Sequence, residues 1–258
     1  MIDRTAIISE NAKIAGDVDV GAYSIIGDNV SIGQGTKIGS HVVIEGPTDI
    51  GRNNRIFHHC SLGTEPQDIT YKKEDTKLII GDSNTIREFC YFNRGTFHGN
   101  RKTVIGNHNY LMGYVHIAHD CILEDNIIMA NAVQLAGHVH ICRNSFIGGL
   151  AGIHQFCRIG AYTMVGGASA VTEDVLPYSI VYGNRAKTAN VNIIGLERNN
   201  FSKERISVIK KAFLLLYKSS YNTTDAAKRL KELYPGNNDI DYLVDFIEKS
   251  KRGIAGHA

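Results

Sequence analysis

The stretch VDVGAYSIIGDNVSIGQGTKIGSHVVI, residues 18–44, returns an aliphatic side chain at every sixth position: Val20, Ile26, Ile32, Ile38 and Ile44. Glycine follows the first four of these, at positions 21, 27, 33 and 39. An amphipathic helix repeats its apolar residues about every 3.6 positions and a two-sided strand every second one, so neither explains a beat of six. A chain that turns a corner every six residues does. Its aliphatics point into a narrow prism, and Gly, Asn or Asp make the corners, where a positive φ is cheap.

The beat continues in both directions. It runs from Ile8 to Leu62, resumes at Ile80, Ile86 and Phe92, and then extends unbroken from Ile105 to Val171, giving 25 copies. Two positions before each aliphatic the residue is small or β-branched, as at Val18, Ser24, Val30 and Thr36. Four of the five cysteines, Cys60, Cys90, Cys121 and Cys157, occupy that slot, where a free thiol packs as a small hydrophobe. An odd number of cysteines without paired spacing is not a disulfide framework. With 28 basic and 26 acidic residues the net charge is +2, which argues against a nucleic-acid or membrane-surface partner recognised by bulk charge. No signal-peptide run opens the chain and no segment approaches the roughly 18 apolar residues of a membrane span, so a cytoplasmic protein is expected.

This pattern resembles the hexapeptide-repeat proteins, in which three hexapeptides make one triangular coil of a left-handed parallel β-helix. The handedness comes from the resemblance and runs against the usual right-handed crossover. The expected fold is therefore an all-β left-handed parallel β-helix solenoid over residues 1–189, followed by a C-terminal α-helical domain over 190–258. Two excursions, at about 64–79 and 93–104, interrupt the beat. Counting faces in sixes puts both excursions on one edge of the prism, together with positions 117, 135, 153 and 171.

That edge carries IAHDC (117–121), LAGHV (135–139) and IHQFC (153–157). His119, His138 and His154 then lie near one corner on successive coils, about 4.8 Å apart from level to level. His116 precedes the inward Ile117, so it points outward and is accessible. Rigid walls with variable corners are where solenoids carry function. The corner admits three chemistries: a histidine general base, with Asp120 to orient it and the Gly137 amide to face an oxyanion; a zinc site of His116, His119 and His138, as in hexapeptide-repeat carbonic anhydrases; or a bare scaffold. Asp120 adjoins His119 in sequence, although neighbours on a strand point apart. No Ser or Cys stands out as a nucleophile.

HIAHDC, LAGHV, GGLAGIHQFCRIGAY, MVGGASAV and NVNIIGLERNNFS together resemble the acyltransferase family that moves a 3-hydroxyacyl group from acyl carrier protein to the 3-hydroxyl of UDP-N-acetylglucosamine, opening lipid A synthesis. The resemblance implies His119 as catalytic base, Asp120 as its support and Gly137 as oxyanion amide. It implies substrate contacts at Gln67, Asp68, His116, His138, His154, Gln155, Asn192 and Arg198, and an acyl-measuring position at Gly167. It implies no metal and no cofactor beyond the carrier protein's own pantetheine-linked acyl chain, and a homotrimer with sites between subunits. Thr70, Ile194 and Arg185 depart from family residues.

Beyond VLPYSIVYGNRAK the pattern turns helical. Ser202 reads as an N-cap for a helix burying Ile206, Ile209, Phe213 and Leu216. Thr224 reads as the cap of a second helix ending near Tyr234, and a third is expected from Ile240 to Lys249. Arg185, Lys187, Arg198, Lys203, Arg205, Lys210, Lys211 and Lys218 form a candidate docking patch for an acidic carrier protein.

Overall fold

The computed structural model describes residues 1–258. Short strands stack into three sheets of nine, eight and ten strands, parallel except for the last strand of the ten, and these are the three walls of a left-handed β-helix. Each strand pairs with the one a full coil later. Ile8 registers with Ile26, Ile26 with Ile44 and Ile44 with Leu62. Across the excursions Leu62 still meets Phe92, and Phe92 meets Ile117. The face count from the sequence therefore holds: the nine-stranded wall collects positions 8, 26, 44, 62, 92, 117, 135, 153 and 171.

The inward side chains build one continuous core of 39 buried residues. Cys60, Cys90, Cys121 and Cys157 are buried in it as expected. Truncating any one large aliphatic in such a core costs about 2–5 kcal/mol.

The corners correct one expectation. Positive φ falls mostly on residues other than glycine, including Tyr23, His41, His59, Phe89 and Tyr114. Left-handed backbone costs an L-residue about 1–2 kcal/mol. Here the five rings stack one above another at 4.8–5.2 Å between centroids, a contact that offsets the strain. Glycine serves close approach instead: a Cβ on Gly21 would lie 2.6 Å from the backbone of Gly39 on the next coil.

Where the excursions leave the prism, a different device pins the coils. Asn54, Asn84 and Asn109 are buried in the small-residue slot and bond to one another in a ladder. The Asn84 side chain donates to Asn54 Oδ1 at 3.0 Å, and the Asn109 N–H donates to Asn84 Oδ1 at 2.9 Å. The flanking strands lengthen to Thr64 and from Lys77, and to Asn93 and from Lys102, so the irregular segments are 65–76 and 94–101, shorter than expected. Buried Arg94 ties the two together: Nη1 donates to the carbonyls of Gly46 (3.0 Å) and Gly63 (2.6 Å), and Nη2 to the Tyr71 hydroxyl (3.2 Å).

The last strand, Lys187–Val191, crosses the expected division at residue 189. Four helices follow: α1 (Ile193–Arg198), α2 (Lys203–Lys218), α3 (Thr223–Leu233) and α4 (Asn238–Glu248). Ser202 caps α2 through the Arg205 amide, and Ile206, Ile209, Phe213 and Leu216 are buried. Asn222, not Thr224, caps α3, because its side chain reaches the Asp225 amide at 2.9 Å. Likewise α4 begins earlier than expected, capped by Asn237. The helices bury a second core of 17 residues against Leu176 and Tyr178. No helix is long and apolar enough to cross a membrane.

Candidate active site

His119 and Asp120 occupy the corner between strands His116–Ile117 and Ile122–Leu123. Strand alternation does not govern them there. Asp120 has a φ of 61°, which swings the two side chains to one side and brings His119 Nδ1 to 2.9 Å from Asp120 Oδ2.

The second excursion exists, structurally, to hold that carboxylate. Thr96 gives Oδ2 its N–H at 3.0 Å and its hydroxyl at 2.6 Å, and the Asn100 N–H reaches Oδ1 at 2.8 Å. Asp120 is 1 % exposed. Burial alone would raise its pKa, but the bonds from His119 and Thr96 and the nearby His138 outweigh it and hold the carboxyl below its ordinary value. An ionised carboxylate only accepts hydrogen bonds, so His119 Nδ1 carries a proton, and in the neutral ring the lone pair is on Nε2.

One coil along, Gly137 stands against the imidazole. A Cβ there would fall 2.5 Å from His119 Cε1 and 2.7 Å from Nε2, so only glycine admits the ring. Gly137 is buried, and its N–H has no backbone acceptor. His138 repeats the corner geometry of Asp120, with φ 62°, and stacks on Phe156 at 4.4 Å while meeting His119 edge-on at 5.1 Å. Burial lowers its pKa against the opposing pull of Asp120.

His116 is half-buried rather than freely accessible, because its ring stacks on Tyr91 and its Nε2 lies 3.2 Å from Asn93 Oδ1. Burial, then the charge of His119, lowers its pKa. The three-histidine zinc set does not assemble: the ligand atoms within 4.8 Å of one another belong to His119, Asp120 and His138, and His116 stands outside them.

From the first excursion, Gln67 Nε2 comes within 3.5 Å of the Tyr91 hydroxyl. Asp68 Oδ1 accepts the Thr70 N–H and hydroxyl, each at 2.8 Å. Those two bonds lower its pKa, and the nearness of His119 adds to the effect. Thr70, one of the departures, thus braces Asp68. His154 and Gln155 are exposed on the next coil, where Arg252 Nη2 approaches His154 Nδ1 at 3.3 Å. His116 and His154 line a groove of about 460 Å³ along the nine-stranded wall, floored by Gly152 and Ala170.

Three expected site residues lie elsewhere. Gly167 follows strand Met164–Val165 at the opposite edge of the nine-stranded wall. Asn192 and Arg198 line a separate groove of about 600 Å³ on the ten-stranded wall, with Phe146, Met164 and the exposed Ile194. Arg205 leaves the basic patch, since Asp239 binds its Nε at 2.9 Å and Nη2 at 2.8 Å. Thr96, Asn100, Asn93 and Arg94 were not foreseen, because the excursions have no period to read. Phe156 was legible: it shares the corner phase of Asp120 and His138.

Residues 174–255 match the family model described as UDP N-acetylglucosamine O-acyltransferase, domain 2. The chain is 49 % identical over 257 residues to the acyl-[acyl-carrier-protein]–UDP-N-acetylglucosamine O-acyltransferase of Paraburkholderia phymatum, covering 98 % of each. Among solved structures, LpxA from Acinetobacter baumannii superposes with a TM-score of 0.96 at 47 % identity, covering 98 % of this chain and 99 % of that one. The UDP-N-acetylglucosamine acyltransferase of Francisella novicida gives 0.97 at 39 %, covering 99 % and 94 %. Near-full-length identity of this order joins the solenoid, both excursions and the helical cap in a single likeness: the chain belongs to the acyl-[acyl-carrier-protein]–UDP-N-acetylglucosamine O-acyltransferase family.

Proposed function

We propose that the protein transfers a 3-hydroxyacyl group from an acyl carrier protein thioester to the 3-hydroxyl of UDP-N-acetylglucosamine, the first step of lipid A biosynthesis, with His119 as general base. The observation that carries this reading is an imidazole tied through Nδ1 to a buried carboxylate, with Nε2 left free beside an unpaired glycine amide. His119 Nε2 takes the sugar hydroxyl proton as that oxygen attacks the thioester carbonyl. The negative charge developing on the carbonyl oxygen faces the Gly137 amide. Collapse of the intermediate expels the pantetheine thiolate, which recovers the proton from the imidazolium. No covalent enzyme intermediate is needed. A positioned base of this kind contributes about 10²–10⁴ in rate.

Gln67, Asp68, His116, His138, His154 and Gln155 surround the reacting corner as substrate contacts. Asn192 and Arg198 lie on the ten-stranded wall of the same chain, and Gly167 lies where that wall meets the far edge of the nine-stranded one. They join the site only if a second copy presents its ten-stranded wall to this corner, which supports a homotrimer with shared sites. The exposed lysines Lys210 and Lys211 of α2 suit an acidic carrier protein. Five free cysteines fit a reducing cytoplasm.

The test is turnover of UDP-N-acetylglucosamine with a panel of 3-hydroxyacyl carrier proteins, the product identified by mass. His119→Ala should cut product formation by about 10²–10⁴, whereas a chelator should leave it. Equal turnover by His119→Ala, or no acylated sugar nucleotide from any carrier, would sink the assignment. Mixing His119→Ala chains with Arg198→Ala chains should restore activity if sites are shared, and should restore none if each chain is self-sufficient.

A further inference from the structure

Four residues beyond the catalytic corner, the same coils hold a second cluster. Glu124 on one coil and His140 and Cys142 on the next bring a carboxylate oxygen, an imidazole nitrogen and a thiol within 4.8 Å of one another. His140 Nε2 lies 3.0 Å from Glu124 Oε1 and 4.0 Å from Cys142 Sγ. Around a tetrahedral zinc, with bonds of about 2.0 Å to nitrogen and oxygen and 2.3 Å to sulfur, those spans would be about 3.3 and 3.6 Å. Each is within about half an ångström of that geometry. The set is an S, N, O combination typical of zinc, and it leaves a fourth position for water.

Its surroundings favour a ligand set over ordinary packing. Cys142 is the one cysteine outside the repeat's small-residue slot, and it is 3 % exposed. The Arg143 N–H holds Glu124 Oε2 at 3.0 Å, which turns Oε1 toward His140. Orienting contacts of this kind around ligating groups are common in metal sites. The Arg143 guanidinium, 3.9 Å from Oε2, rests over the Tyr242 ring rather than between the ligands. By contrast, the His119, Asp120 and His138 group has its carboxylate already engaged by Thr96, Asn100 and His119. We propose that Glu124, His140 and Cys142 form a zinc site that clasps two coils of the solenoid beneath α4.

Without metal, burial lowers the His140 pKa, but its contacts with Cys142 and Glu124 outweigh that and push it up to about 9. A metal must displace that proton and the Cys142 thiol proton as well, so affinity should rise steeply with pH. The experiment strips the full-length protein with chelator and reductant, then titrates cobalt(II) while following the thiolate-to-cobalt charge-transfer band. One equivalent per chain should bind with that band, and zinc should displace it stoichiometrically. Cys142→Ser should abolish the band. His140→Gln should weaken binding by about 100-fold or more, and it carries the test if the serine variant misfolds. His119→Ala should keep the band. Turnover within twofold of wild type in the Cys142 and His140 variants serves as a check on folding. Absence of the band in wild type, or its survival in Cys142→Ser, overturns the proposal.

Discussion

His119 and His140 sit on successive coils, each against a carboxylate, yet their contacts differ by one ring atom. His119 gives Nδ1 to Asp120 and keeps Nε2 free; His140 engages Glu124 through Nε2 itself. The first arrangement leaves Nε2 without a hydrogen-bond partner, and the second commits it to the carboxylate. Burial separates them further. Asp120 is sealed and held by loop donors, whereas Glu124 is partly exposed and rests on one backbone amide. A base and an ion pair are thus built from the same residue types, and the tethered nitrogen decides between them.

The largest effect expected from breaking this contrast is in kcat. His119→Ala should lower it by about 10²–10⁴, the usual contribution of a positioned base, while His140→Ala should change it less than twofold. Comparable losses in steady-state assays of the two variants would erase the distinction. Next, Asp120→Asn keeps the shape but removes the acceptor-only oxygen that fixes the His119 tautomer, and kcat should fall about 10²-fold or more.

Gly137→Ala should cost roughly 10–100-fold, because the added methyl displaces the imidazole; a crystal structure with the ring unmoved would contradict this. Thr96→Val removes one donor to Asp120. It should lower kcat about tenfold and move the acid limb of the pH–rate profile upward, since losing a donor to the ionised form raises the carboxyl pKa.

The smallest effect is in stability. His140 is pushed up to about 9 from an ordinary value of about 6.5, so its stabilising contribution is complete below about 6.5 and lost as pH rises through 9. In metal-stripped protein, the melting-temperature gap between wild type and His140→Gln should narrow from pH 6 to pH 10. His138 behaves oppositely: burial lowers its pKa, so acidification below about 6.5 should destabilise the corner.

Periodicity made the walls legible, because each inward aliphatic obeys the same geometric demand. It also located the corner: a six-residue count carried Leu62, Phe92 and Ile117 onto one wall. What it could not convey was conformation inside the turn. The contact between His119 and Asp120 depends on a left-handed φ that strand alternation ignores, and the capture of Asp120 by Thr96 and Asn100 depends on an aperiodic loop. Cap residues were partly legible for a similar reason. Ser202 stood alone before its helix, whereas Asn222 competed with Thr224 and won through direct reach to the Asp225 amide.

The asparagine ladder spans the only levels at which the chain departs from the prism. Between Asn54 and Asn84 the path is 30 residues long, and between Asn84 and Asn109 it is 25, against 18 for an uninterrupted coil. Greasy side chains alone would tolerate slippage there, since one isoleucine fits another's berth. Directional amide bonds do not, so they act as a vernier that restores alignment after each detour. The frame therefore keeps its place whatever the detours carry, which frees the first of them to vary in length or chemistry while the second stays tied to Asp120.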